Sequence, residues 1–132
     1  MLQQEIEKLI EKAREALAFA RPLYSAFKVG AAVLAEDGRI FTGCNFENPS
    51  LMMSICAEKV AVLKALSEGQ AELKAIAVAC AGQEPCYPCG SCRQFLSEFA
   101  PGIRIILPSE KSVQVMGLRE LLPYPFVKDP PQ

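Results

Sequence analysis

The chain has 132 residues, a formal net charge of −1 and 51% apolar residues. That length supports one domain, 1–132, with a proper core, and the charge excludes the basic field that drives non-specific nucleic-acid binding. No apolar run reaches the ~18 residues of a membrane span, and Met1-Leu2-Gln3-Gln4 opens no signal peptide, so the expected setting is cytoplasmic.

Leu2, Ile6, Leu9, Ala13, Leu17 and Ala20 recur at helical spacing among charged residues, which predicts an amphipathic helix ending before Pro22. Strands are expected over 28–35 and 39–45, with Glu36-Asp37-Gly38 as a hairpin turn. A loop from Glu47 leads to an apolar helix over 55–68 that stops at Gly69. Leu73 to Ala81 is almost wholly apolar, as a strand buried on both faces would be. After the loop 82–88, a helix opens near Cys89 and ends near Phe99. A strand over 103–107, a short one over 113–116, a brief helix over 118–122 and a proline-rich tail complete the chain. Helices that alternate with buried strands predict a layered α/β sandwich. Its first two strands should be antiparallel, and the strands joined by helical crossovers parallel.

Six cysteines and no histidine are present. In a reducing cytosol an even cysteine count points to metal or buried thiols before disulfides. Cys56-Ala57-Glu58 and Pro88-Cys89-Gly90-Ser91-Cys92 both fall at expected helix starts. There the free N–H groups and the helix dipole lower the cost of a thiolate. Soft thiolates suit Zn²⁺, and three of them, Cys56, Cys89 and Cys92, leave the fourth tetrahedral position to water. Such a zinc makes hydroxide available near neutral pH, and the non-ligating Glu58 is placed to shuttle protons. Three thiolates on one Zn²⁺ carry a formal −1. Lys59, three residues after Cys56, either offsets that charge by donating to the sulfurs or is a solvated surface lysine. A closed four-cysteine site that includes Cys86 is the structural alternative. Cys86 is read as a non-ligand, and Cys44 and Cys80 as buried apolar thiols.

These residues carry the zinc-deaminase signature, and the chain resembles the cytidine deaminase family, in particular its small homotetrameric type. Tyr24-Ser25-Ala26-Phe27-Lys28-Val29-Gly30-Ala31-Ala32 resembles the family's Y-S-x-F-x-V-G-A-A stretch, and Gly43-Cys44-Asn45-Phe46-Glu47-Asn48 its G-x-N-x-E-N stretch. Leu121-Leu122-Pro123 with Phe126 resembles its C-terminal L-L-P-x-x-F. The resemblance implies a three-layer α/β/α sandwich around a mixed, mostly five-stranded sheet, with one Zn²⁺ per subunit. It also implies hydrolytic deamination of cytidine and 2′-deoxycytidine, a pyrimidine-salvage reaction, in a homotetramer with active sites at subunit interfaces. Asn45 and Glu47 would bind the ribose hydroxyls and Phe27 would pack on the nucleoside. Ala57 would offer backbone hydrogen bonds to the base, and Phe126 would reach across from a neighbouring subunit. Two departures stand out: Lys59 replaces the family's usual arginine, and Pro49-Ser50-Leu51-Met52-Met53 lacks its usual tyrosine.

Three other readings compete. Blasticidin S deaminase shares the zinc motifs, but its sugar-contact region lacks the Asn-x-Glu pair seen here as Asn45 and Glu47. A polynucleotide deaminase conflicts with the net charge. A non-catalytic zinc-stabilised module requires four sulfur ligands.

Overall fold

A computed structural model describes residues 1–129; the last three residues of the proline-rich tail, 130–132, lie outside the described residues. Its elements are α1 (Gln3–Ala16), β1 (Val29–Ala35), β2 (Ile40–Cys44), α2 (Ala57–Ser67), β3 (Leu73–Cys80), α3 (Gly90–Phe99), β4 (Arg104–Pro108), β5 (Val113–Gly117) and α4 (Leu118–Leu121). The first helix ends earlier than its periodicity predicts. A 3-10 turn over Leu17–Phe19 follows it, and Ala20 is already extended ahead of the Arg21-Pro22 step.

The five strands form one sheet in the order β2-β1-β3-β4-β5. The hairpin β1–β2 is antiparallel, with Ala32 opposite Thr42. β3 pairs antiparallel with β1, so β2 and β3, joined through α2, run in the same direction with β1 between them. β3 and β4, joined through α3, are direct parallel neighbours, and β5 closes the edge antiparallel to β4. The expected crossover directions and the five-stranded mixed sheet are therefore found.

The period-2 alternation of the strands divides the core into two. Ala32, Leu34, Ala75, Ala77, Ala79 and Ile106 face α1, against Leu9, Ile10 and Ala13. Ala31, Val33, Ile76, Val78, Ile105 and Leu107 face the other way, against Ala57, Ala61, Val62 and Ala65 of α2 and Leu96 of α3. On both faces alanines alternate with larger aliphatic residues, which lets helix and sheet layers approach closely. The result is the α/β/α sandwich expected.

Two glycines set the closest approaches. A Cβ at Gly30 would run into the carbonyl oxygen of Ala13 in α1. At Gly43 a Cβ would stand 2.5 Å from the nitrogen of Ala61 and 2.6 Å from the carbonyl oxygen of Ala57. The backbone of α2 thus rests on the end of β2, which fixes where its first turn, and the residues on that turn, must lie.

Candidate active site

The first turns of α2 and α3 meet beside the end of β1. Cys56 caps α2 and Cys89 caps α3; both are extended, so their side chains stand at the helix mouths. Cys92 lies in the first turn of α3, fully buried, and its N–H points at the Cys89 sulfur, 3.5 Å away. Phe46 and Ile55 exchange two backbone hydrogen bonds, 3.0 and 2.9 Å, which deliver the chain to Cys56 in a fixed position.

The sulfurs of Cys56, Cys89 and Cys92 all lie within 4.8 Å of one another. Sulfurs ~2.3 Å from a tetrahedral zinc stand ~3.8 Å apart, so the cluster fits that ion. Cys86 is not part of it. Burial, with the neighbouring Cys80, pushes the Cys86 thiol up to about 12. Cys56 is the opposite case: hydrogen bonds from Cys92 and Cys89 and the Lys59 charge bring it down to about 6, despite burial. Cys92, donating to Cys56, holds its own proton more tightly, so the first thiolate forms on Cys56. All six cysteines are free; Cys44 is buried as expected, whereas Cys80 is only half-buried.

Glu58 is 5% exposed and is the one buried charged residue of the described chain. Burial raises its pKa to about 7, its own backbone N–H opposes this, and the Cys56 charge adds to it. A carboxyl poised near neutrality can both take and give a proton at working pH. Cys56, Ala57, Glu58 and Cys89 line a cavity of about 150 Å³, together with Val29, Asn45, Cys86 and Tyr87.

Lys59 does not donate to a ligand sulfur. Its Nζ donates to Ser91 Oγ at 2.8 Å and lies 5.9 Å from the Phe95 ring, so it ties the two ligand-bearing helices together. Its charge still favours the Cys56 thiolate. The residues expected to meet the sugar lie on two facing segments, one before β1 and one after β2. The Asn45 amide donates to the Phe27 carbonyl (2.8 Å) and accepts from Val29 N–H (2.9 Å), which leaves one donor and one acceptor site free. Glu47 accepts from the N–H groups of Tyr24 and Ser25 and from the Ser25 hydroxyl. Phe27 follows at once, with its ring exposed. Phe126 does not line the cavity of its own chain; its backbone is held by Gln94.

Sequence reasoning assigned no role to Ser91, Arg93 or Gln94. Arg93 sits in the first turn of α3, where the helix dipole disfavours a cation, and this was the available signal that it has fixed partners. Its Nε donates to the Pro88 carbonyl (2.8 Å) and its Nη1 to that of Leu121 (2.9 Å).

Residues 3–107 match the family described as the cytidine and deoxycytidylate deaminase zinc-binding region. This chain belongs to that family. It is 42% identical over 127 residues to the cytidine deaminase of Sporosarcina psychrophila, covering 95% of this chain and 93% of that protein. The crystal structure of cytidine deaminase from Burkholderia pseudomallei superposes with a TM-score of 0.87 at 39% identity, covering 96% of this chain and all of that one. That from Mycobacterium tuberculosis gives 0.82 at 36% identity, covering 97% and 100%. The family expected from the motifs is thus the family found, and a zinc at the three sulfurs accords with it.

One consequence of the Glu47 bonds can be measured in this family member without substrate. The hydroxyl and N–H of Ser25, with the N–H of Tyr24, hold the Glu47 carboxyl below its ordinary value of 4.5. A lowered folded pKa gives stability that is present above 4.5 and lost as pH falls through the folded pKa. Glu47→Gln should therefore unfold at lower temperature than the parent at pH 7, and the gap should close in acid. An equal gap at both pH values would refute the charge-based account.

Proposed function

We propose that the chain is a zinc-dependent cytidine deaminase, converting cytidine and 2′-deoxycytidine to uridine and 2′-deoxyuridine with release of ammonia. One observation carries this: a three-sulfur cluster at two helix starts lies beside a buried carboxyl of pKa about 7. Similarity to proteins named cytidine deaminase over nearly the whole chain supports the substrate. Cys56, Cys89 and Cys92 would hold the ion through three thiolates. The zinc supplies Lewis acidity that makes hydroxide available near neutral pH.

Glu58 handles the protons. Its carboxylate takes one from the attacking water and passes it to N3 of the ring as oxygen bonds to C4. It then carries the second proton to the amino group, so that the C4–N bond breaks with ammonia leaving. The Ala57 backbone would hydrogen-bond the base. The free donor and acceptor of Asn45, with Glu47 beside it, would meet the ribose hydroxyls, and Phe27 would pack on the nucleoside. Lys59 would offset the thiolate charge through its own positive charge, while its bond to Ser91 joins the two ligand helices.

A cavity of about 150 Å³ is smaller than the ~300 Å³ lower range of ligand pockets, so further walls are required. We infer a homotetramer in which Phe126 of a neighbouring subunit covers the base. Phe126 is 73% exposed, and Met52, at 95% exposed, stands between the exposed Leu51 and Met53, which supports apolar contacts between copies. No helix among the described residues is long and apolar enough to cross a membrane. The free thiols suit the reducing cytoplasm proposed as its location.

Loss of ultraviolet absorbance tests the substrate, with cytidine, deoxycytidine, cytosine and blasticidin S compared in parallel. Turnover of the two nucleosides is expected. Turnover of blasticidin S alone would overturn the reading.

A further inference from the structure

Gln94 makes a two-point contact with the tail. Its Nε2 donates to the Phe126 carbonyl at 2.7 Å, and its Oε1 accepts from the Phe126 N–H at 3.1 Å. A glutamine amide presents the same donor and acceptor as a peptide, so the pair of bonds fixes both the N–H and the carbonyl of Phe126. Around this point the large side chains do not hold the tail to its own chain: Tyr124, Phe126 and Val127 are all exposed, and Pro125 alone is half-buried. The tail is therefore anchored by its backbone while the ring of Phe126 is presented outward.

The anchor stands on the helix that carries two of the three sulfurs. Gln94 comes two residues after Cys92, and the preceding Arg93 ties the Pro88 carbonyl, next to Cys89, to the Leu121 carbonyl at the start of the tail. Position of the tail is thus referred to α3 itself and not to a separate surface.

We propose that Gln94 is a positioning residue for substrate: it holds the backbone of Phe126 so that the ring enters the site of an adjoining copy in one orientation. This rests on the reading of Phe126 given above. Without Gln94 the ring remains present but is no longer pre-set, so binding carries the entropy of ordering the tail.

The zinc-loaded protein is tested as parent, Gln94→Ala, Phe126→Ala and the double variant, for cytidine KM and kcat, zinc content and hydrogen exchange at the Phe126 amide. Gln94→Ala should raise KM about tenfold, the scale of two lost hydrogen bonds, with zinc content and kcat near the parent's. Exchange at the Phe126 amide should accelerate, and the double variant should match Phe126→Ala. Gln94→Glu, which keeps the acceptor and loses the donor, should fall between. If Phe126→Ala raises KM but Gln94→Ala does not, or if the two effects multiply, the positioning role is refuted while the reading of Phe126 stands. If Phe126→Ala leaves KM unchanged, that reading fails and the positioning role fails with it; unaltered amide exchange in Gln94→Ala would refute the clamp directly.

Discussion

Glu58→Gln should lower kcat for cytidine by about 10²–10⁴-fold while KM and one bound zinc per chain are retained. Glutamine fills the same space and can hydrogen-bond, but it cannot carry a proton, and both proton deliveries proposed for the reaction pass through this carboxyl. The same substitution should stabilise the metal-free protein. Burial raises Glu58 from 4.5 to about 7, so the folded state binds the proton more tightly than the unfolded one. Stability is then highest below 4.5 and declines as pH rises to about 7, after which the loss is complete. A rise from 4.5 to about 7 corresponds to about 3 kcal/mol. Denaturant unfolding of metal-free Glu58→Gln should therefore exceed the parent by roughly that amount at pH 8 and match it at pH 4. A variant no more stable at pH 8 would mean that the carboxyl is not desolvated as its 5% exposure implies. A site retained at such a cost to folding is what a function that needs the group would produce.

Cys92→Ala should abolish turnover and bring zinc well below one per chain. Cys92 is fully buried and shares its site with only two other sulfurs, so its loss leaves two ligands and a cavity in the first turn of α3. A ligand that binds only the folded state stabilises it by about 4 kcal/mol at a thousand times its Kd. Chelation should accordingly lower the melting temperature of the parent by many degrees and leave Cys92→Ala unmoved. Cys86→Ala is the control: its thiol lies outside the cluster, so zinc content and the response to chelator should stay with the parent. Loss of zinc in Cys86→Ala would restore the four-cysteine alternative.

The parts of the fold that were legible in the sequence are those set by local pattern. The apolar run 73–81 could be read as a doubly buried strand because both faces of β3 meet a helix layer. Cys56, Cys89 and Cys92 were legible because their spacing places ligands at helix starts, and Glu58 because it sits in the same first turn. What could not be read depends on which atom meets which across a gap. Periodicity put Lys59 on the Cys56 face of α2, but its partner, Ser91, belongs to α3 and is 32 residues away. Asn45 and Glu47 lie just past the end of β2, and that both brace the 24–29 segment depends on how that segment folds back. Thirty-two residues likewise separate Gln94 from Phe126, so the bonds that hold the proline-rich tail by its backbone leave no local pattern.

Zinc-edge X-ray absorption of the metal-loaded protein tests the central claim most directly. Three sulfurs at ~2.3 Å with one lighter ligand at ~2.0 Å are predicted, the open site a deaminase requires. Four sulfurs and no oxygen or nitrogen would contradict it and mark the metal as a structural staple.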